Sequence, residues 1–504
     1  MEYTTGQIEA IQSIQTWYKN GSKDNLYRLF GYAGTGKTTV VSAVIKELKI
    51  PINRIAFLTP TNKARLVLEN RLSDPSNDNS FFPHTCVTAH RALYSSILKK
   101  EAAFIVSQLN ALKISVSKEE ILGSNADLIK KQIKELESQY NSIKEPWVRT
   151  VNSSLPSLND DIDDIERQVY GSKRIESTPL YGKRLIVVDE VSMLAYSDSF
   201  EIMAWDIPVI AIGDPAQLPP VPEKNNQTYG NFFIPSNCEV KADFLLTEIT
   251  RNKEKSDIVL LSKCLRDSGS RTLFNMKKSS GKTFGEVSFD KPISKENFKA
   301  ETSIHLVSKH TTRIKANNDI RKMLGHDVEW DFIPAPGEIL LCQKTHYKEM
   351  DITHKDGSIE KQRVTVLNNG GLYTVLGYKD TNNKELITHE DVLTSANRNK
   401  DGIVKLFLKD SFMPNDEKII EFDFSPLAFR IKYTSGGSSA ARASKYYLDF
   451  GYAITIHSAQ GSEFDNVTII VEYMGESPDY KKVHYTAVTR AKKSLNIVYP
   501  KGGF

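Results

Sequence analysis

The sequence predicts an α/β protein with two parallel-sheet units in tandem, a helical insertion in the first and a β-barrel insertion in the second. Three observations lead there. Short apolar runs alternate with helical stretches through residues 1–90 and 180–250, the rhythm of βαβ units. Residues 100–170 break that rhythm: Ile105, Leu109, Leu112 and Val116, then Ile129, Ile133, Leu136, Tyr140 and Ile143, recur every three or four positions, as in a seam between packed helices. From Gly337 to about Tyr433 the pattern becomes period-two alternation broken by turn signals.

The elements follow in order. Leu26–Phe30 reads as a first strand, Thr38–Leu48 as a helix with Val41, Val44, Ile45 and Leu48 on one face, and Arg54–Leu58, Leu185–Val188 and Val209–Ile212 as further strands. A second unit is expected from about Leu245, with a strand at Ile304–Val307 and a basic helix at His310–Leu324. EILLCQK, QRVTVLNNGGLYTVLGY, KELITHEDVLT, GIVKLFLKD and EKIIEFDF then supply the inserted strands, and Thr434–Ser439 a flexible return. Val467–Val471 and Leu495–Tyr499 resume the α/β rhythm. The expected units are 1–90 with 171–244, an insertion at 91–170, 245–334 with 441–504, and an insertion at 335–440.

Composition narrows the class. A net charge of +4 over 504 residues does not by itself announce a polyanion binder. Cys86, Cys238, Cys264 and Cys342 are far apart with no C-x-x-C pair, which argues against zinc and a disulfide framework. The first residues are polar and no apolar run has the length of a membrane span, so a cytoplasmic setting is expected.

Two motifs carry chemistry. GYAGTGKT at 31–38 satisfies G-x-x-x-x-G-K-[ST] between a strand and a helix: Gly31, Gly34, Thr35 and Gly36 let the backbone close on phosphates, with Lys37 on the β/γ-phosphates and the Thr38 hydroxyl, followed by Thr39, toward Mg²⁺. Gly281-Lys282-Thr283 is a chance echo, since Met276 stands where the first glycine belongs. LIVVDEVSM places Asp189 and Glu190 at a strand tip, one carboxylate for the metal and one to orient an attacking water. Gln217, in GDPAQLPPV after another strand, is placed to sense a γ-phosphate. Asn159–Glu166 reads as a solvated acidic face, and Phe81 and Phe82 as packing residues.

A further series is suited to phosphodiester oxygens without reading bases: Thr59, Pro60, Thr61 and Asn62, then Thr88 and His90, then Thr455 and His457. Lys63, Arg65, Arg91, Lys309 and Arg313 could add charge along the same face.

The ordered set GYAGTGKT, LTPTNKA, TAHRAL, DEVSM, GDPAQLPPV, LTEITR, TIHSAQGSEF and YTAVTRAKK resembles the superfamily 1 helicases from Gln7 to Arg490. The forms DEVSM, QLPPV and IHSAQG are most similar to the RecD-like 1B branch, which includes the phage Dda helicases. That resemblance implies two RecA-like domains with ATP and Mg²⁺ between them, and an SH3-like second insertion. It implies that Gln7 reads adenine, that Arg251 and Arg490 reach the γ-phosphate from the second domain, and that Gln460, Gly461 and Glu463 couple nucleotide to the strand-binding surface. A monomeric DNA helicase moving 5′ to 3′ on single strands and at duplex junctions is expected, with RNA or an ATP-driven remodelling switch as alternatives. The arm at 91–170, longer than a simple pin hairpin needs, could act as a wedge or receive a single-strand-binding, replication or recombination protein.

Overall fold

The computed structural model describes residues 3–21, 25–73, 86–93, 179–220, 242–249, 256–267, 273–295, 302–326, 332–353, 359–398, 402–411, 418–434, 448–472 and 480–500, with isolated positions at 131–138, 233–234, 298–299 and 330. The helical seam expected over 100–170 lies outside them, apart from a few exposed helical positions within 131–138. Phe81, Phe82, Asn159–Glu166, Cys238 and residues 435–439 of the return linker also lie outside.

The first sheet contains β1 (Leu26–Gly31), β2 (Ile55–Thr59), β3 (Cys86–Thr88), β4 (Leu185–Val188), β5 (Val209–Gly213) and β6 (Phe244–Leu246), all parallel in the order β3-β2-β4-β5-β1-β6. Every residue of β2, β4 and β5 is buried, because helices cover both faces; hence their unbroken apolar runs. The helices α1 (Thr5–Asn20) and α2 (Lys37–Leu48) supply Ala10, Ile14, Val40, Val41 and Val44 to the core on one side, while Leu93, Leu194 and Ile202 pack on the other. Since β4, β5 and β1 are neighbours, the three loops after them open side by side at the carboxyl edge, where such sheets bind ligands.

β6 corrects one boundary. The second unit was expected from about Leu245, yet Phe244–Leu246 pairs with Leu29–Gly31 and Leu246 is buried in the first core. Burial on the β1 edge holds those residues with the first sheet.

The second unit begins with the helix Asp257–Asp267, followed by β7 (Thr283–Phe284), β8 (Val287–Phe289), β9 (Ser303–Val307) and the helix His310–Leu324. The chain then builds β10 (Ile339–Cys342), β11 (His346–Thr353), β12 (Ile359–Leu367), β13 (Leu372–Lys379), β14 (Glu385–Leu386), β15 (Val404–Asp410), β16 (Ile420–Phe424) and β17 (Leu448–Phe450) before returning as β18 (Ala453–Thr455), β19 (Phe464–Ile470) and β20 (Ala491–Val498). The second sheet has the order β18-β9-β19-β20-β8-β7, parallel except for the β7–β8 hairpin at its edge.

Two expectations for the insertion are revised. In place of a closed barrel, the described residues form an open antiparallel sheet, β16-β15-β13-β10-β17, with β14 on β13 and a separate β11–β12 ribbon. Its β17 edge is not free to close on β16: Gly451 donates its N–H to the Ile339 carbonyl, and the chain passes directly into β18 of the parallel sheet. Glycine at 451 lets the strands approach closely, since a Cβ would meet Leu372 Cδ2 at 2.8 Å, Ile339 Cγ2 at 3.0 Å and the Leu340 carbonyl carbon at 3.1 Å. KELITHEDVLT, expected as a strand, gives only β14 and then the helix His389–Arg398. The reason is a reciprocal cap, with Thr388 N–H on Asp391 Oδ2 and Asp391 N–H on Thr388 Oγ1.

The helix His310–Leu324 straps both stems of the inserted sheet. Arg321 Nε donates to Glu338 Oε1 at 2.7 Å just before β10, with neither side chain exposed to solvent. Arg313 Nη2 donates to Asp449 Oδ2 at 2.6 Å within β17. One continuous apolar core therefore runs through the second parallel sheet and the inserted sheet.

Candidate active site and adjoining trough

The loop after β1 has the shape its glycines allow. Gly34 and Gly36 have φ of 82° and 76°, the left-handed region open to glycine. A Cβ on Gly31 would lie 2.7 Å from Thr35 Oγ1 and 2.8 Å from Leu246 Cβ. Lys37 Nζ donates to the carbonyls of Gly31 (2.8 Å) and Tyr32 (3.0 Å), folded onto its own loop. Thr38 and Thr39 follow in the first turn of α2, whose N-terminal N–H groups open toward the loop. Gln7, expected to read adenine, is buried with both amide ends engaged: Oε1 accepts from Thr4 N–H in a capping box, and Nε2 donates to the Thr35 carbonyl at 3.1 Å. Here it braces the loop.

Thr38 Oγ1 lies 3.5 Å from Asp189 Oδ2 at the tip of β4. That pairing of a hydroxyl and a carboxylate fits a hard divalent cation such as Mg²⁺, which Thr38 and Asp189 would hold with phosphate and water oxygens. Glu190 takes the left-handed conformation, φ 54°, which turns the chain sharply after Asp189. From β5, Asp214 is buried, and burial raises its carboxyl pKa although the Lys37 charge works the other way. Gln217 is also buried, its Oε1 without a hydrogen-bond partner among the described residues. Such an orphaned acceptor suits a donor such as a water.

The second domain meets these loops directly. Tyr485 donates its hydroxyl to Asp214 Oδ2 at 2.7 Å and accepts weakly from Ala33 N–H at 3.5 Å. Leu218 N–H donates to Thr486 Oγ1, and its carbonyl accepts from Gln460 Nε2. Gly461, φ 74°, lies against α3 (Asn62–Ser73), where an added Cβ would touch Ala64 Cβ at 3.5 Å. Glu463 lines a neighbouring cavity with Lys63, Asp410 and Lys492. Arg490 is held within its own domain: Nε on the Thr486 carbonyl, Nη1 on the Ser462 carbonyl and Nη2 on Thr489 Oγ1. Arg251 lies outside the described residues.

Beside the nucleotide loops runs a cleft of about 390 Å³ lined by Pro60, Thr61, Asn62, Thr88, His457 and Gln460, which brings the expected strand-contacting residues of both domains together. Thr59 and Thr455, also expected to contact a strand, are not among the residues that line this cleft. Both are buried: Thr59 Oγ1 donates to the Thr61 carbonyl, and Thr455 caps the short helix Ile456–Ala459. His90 lies on the helix Ala89–Leu93; nothing beyond its backbone position is described.

The expected cationic face is largely redistributed. Arg313 is committed to Asp449 and Arg65 to Glu69. Lys309 precedes the helix His310–Leu324, with its N–H on Glu472, and the Arg91 side chain is outside the described set. Lys63 alone of the five lines the cleft, buried, with Nζ on the Ser458 carbonyl at 3.3 Å. Burial, followed by the Arg490 charge, lowers its pKa to about 7.

Residues 15–223 match the family model of an AAA domain, and residues 450–498 that of a UvrD-like helicase C-terminal domain. The first match contains the phosphate loop with Asp189 and Gln217, and the second contains Thr455, Gln460 and Arg490. It is similar to an uncharacterised protein of Methanocaldococcus jannaschii, 21% identical over 94% of this chain and 37% of that one. An uncharacterised protein of Acanthamoeba polyphaga mimivirus is 25% identical over 65% and 58%. The chain thus spans less than two thirds of either relative. A stretch of 46 residues is 44% identical to the RecBCD enzyme subunit RecD of Buchnera aphidicola, 9% of this chain and 8% of that one. Among solved structures, Bacteroides Pif1 bound to ssDNA is 15% identical with TM-score 0.48 over 99% of this chain and 92% of that one. Pif1 helicase from Candida albicans gives 15% and 0.46 over 99% and 94%.

Sequence reasoning missed several residues of this site. Met193, Thr345, Asn369, Gly370 and Ser458 also line the cleft. Thr345 and Asn369 come from the inserted sheet, where Asn62 Nδ2 donates to Thr345 Oγ1 at 3.4 Å. The NNGG turn at 368–371 was the available signal, but a hairpin turn in sequence does not say which surface it faces. Tyr485 and Asp214 sat within quoted motifs without assigned roles.

Proposed function

We propose that this protein is an ATP-driven DNA helicase of the Pif1/RecD kind, which moves on single-stranded DNA and hydrolyses ATP to ADP and phosphate to open duplexes. One observation carries the reading: the cleft lined by Thr61, Asn62, Thr88, His457 and Gln460 lies across the seam between the two motor domains, and Gln460 joins it to the loop bearing Gln217 through Leu218. Short hydroxyl and amide groups of this kind hold a phosphodiester backbone without selecting sequence.

In this reading Lys37 and Thr38 hold the phosphates, Thr38 and Asp189 the Mg²⁺, and Glu190 with Gln217 orients the attacking water. Arg251 and Arg490 serve as fingers from the second domain, a contribution of about 10³–10⁵ in rate in comparable phosphoryl-transfer enzymes. To do so Arg490 exchanges its Ser462 and Thr486 carbonyls for phosphate oxygen, and Gln7 releases Thr35 to meet adenine. Cleft closing and opening would then move the domains along the strand in turn, 5′ to 3′ as in the Dda-like branch. The proposed divisions become 1–90 with 171–246 for the first motor domain and 247–334 with 451–504 for the second, β6 staying with the first sheet and β17 with the inserted one. The arm at 91–170 is assigned as wedge or partner dock, and the insertion from 335 onward as an open antiparallel sheet carried on the second domain.

ATPase assays with matched DNA and RNA oligonucleotides, followed by strand displacement on duplexes with a 5′ or a 3′ tail, test the proposal. Stimulation by DNA and displacement from the 5′ tail are expected. Turnover indifferent to any nucleic acid would overturn it, and stimulation by RNA alone would replace DNA as the substrate.

A further inference from the structure

Beyond the assigned motifs, the second domain places another arginine on the phosphate loop. Arg266, in the last turn of the helix Asp257–Asp267, stacks its guanidinium 3.4 Å from the ring centroid of Tyr32. Asp267 fixes the guanidinium plane, Nε to Oδ1 at 2.8 Å and Nη2 to Oδ2 at 3.2 Å. The Arg266 side chain is only 12% exposed, lying under Tyr32, while its partner Asp267 is half exposed.

Tyr32 joins that cation to the resting state of the loop. Its carbonyl accepts from Lys37 Nζ and from Thr35 Oγ1, while its N–H donates to the Leu246 carbonyl. The next residue, Ala33, donates to the Tyr485 hydroxyl, so the second domain touches two successive loop residues. Lys37 must leave the Tyr32 carbonyl to meet a phosphate, and the ring clamped by Arg266 belongs to the residue it leaves.

We propose that Arg266 is a positioning residue that clamps the phosphate loop in its resting form through Tyr32, making nucleotide entry and the hold between the two domains opposing events. This rests on the reading of the chain as a nucleotide-driven motor. A contact belonging to the free state opposes ligand binding by its own strength, so its loss tightens nucleotide affinity. It also weakens the link by which the second domain responds.

The test uses the full chain with Arg266→Ala, Arg266→Lys, Tyr32→Ala, Tyr32→Phe and the Arg266→Ala/Tyr32→Ala double variant, titrated with Mg²⁺–ADP by calorimetry and checked for folding by thermal melting. Either alanine variant should lower the dissociation constant about fivefold, the scale of one stacked cation. The double variant should match the single ones, because both remove one contact. Tyr32→Phe and Arg266→Lys should move the constant back toward wild type. A merely structural role would weaken ADP binding instead. A constant that is unchanged or raised in both alanine variants, or effects that multiply in the double variant, would overturn the clamp. If wild-type turnover proves indifferent to nucleic acid, the helicase reading fails separately, since the ADP titration stands without it.

Discussion

Gln460 Nε2 donates to the carbonyl of Leu218 at 3.1 Å, which ties the loop after β5 in the first domain to the second domain beside the trough. Leu218 is buried in the second domain's apolar core, and its N–H is held by Thr486. Gln460→Ala removes a buried partner, at a cost of about 1–3 kcal/mol. Basal ATP turnover should survive while stimulation by single-stranded DNA is largely lost. Steady-state ATPase with and without oligonucleotide checks this, and full stimulation in the variant would remove Gln460 as a coupling residue.

Lys37→Ala and Glu190→Gln should separate binding from chemistry. The first removes the loop's cation and should abolish hydrolysis while leaving DNA binding intact, as read by fluorescence anisotropy. The second keeps the shape of the turn and removes the carboxylate, so nucleotide should bind while kcat falls about 100-fold or more. Normal turnover in Glu190→Gln would assign the water-orienting role elsewhere.

If the cleft binds a nucleic-acid strand as proposed, Lys63 should make that binding depend on pH. Burial first, and then the Arg490 charge, brings its pKa to about 7, with Asp410 acting in the opposite sense. A phosphodiester beside it favours the charged form and raises that pKa in the complex. Its contribution to binding is therefore fully present below pH 7 and lost as pH rises through the pKa of the complex. Affinity for single-stranded DNA at fixed ionic strength should fall between pH 7 and 9, and Lys63→Met should flatten the curve. An unchanged slope would show that Lys63 meets no phosphate.

The strap at Arg321 is structural and should behave so. Both members of the Arg321–Glu338 pair are fully buried, and Tyr452 also donates to Glu338 Oε1. Arg321→Met leaves Glu338 without its cation and should cost about 3–5 kcal/mol. Urea denaturation measures it, and a loss below 1 kcal/mol would show that the pair is not what holds the inserted sheet.

Much of this arrangement was legible in the chain. Leu185–Val188 and His310–Leu324 stand with the bounds their patterns implied, since buried parallel strands and amphipathic helices write their environment into local sequence. The convergence of Thr61, Asn62, Thr88 and His457 was also legible, through motif order. Arg313 was not: a basic helical residue looks solvated until Asp449, far along the chain, turns out to be its partner. His389–Arg398 was missed because its Thr388–Asp391 cap was overlooked beside a strong period-two prefix. The strand path of the inserted sheet depends on Gly451 and its contacts with distant residues, which no local pattern reports.

That glycine has a mechanical consequence. With only Gly451 and Tyr452 between β17 and β18, and both stems pinned to one helix, the inserted sheet has no hinge of its own on that side. It must ride with the second lobe as a single stiff jaw. In the proposed cycle, motion of that lobe would carry Thr345 and Asn369, which line the cleft, along with it.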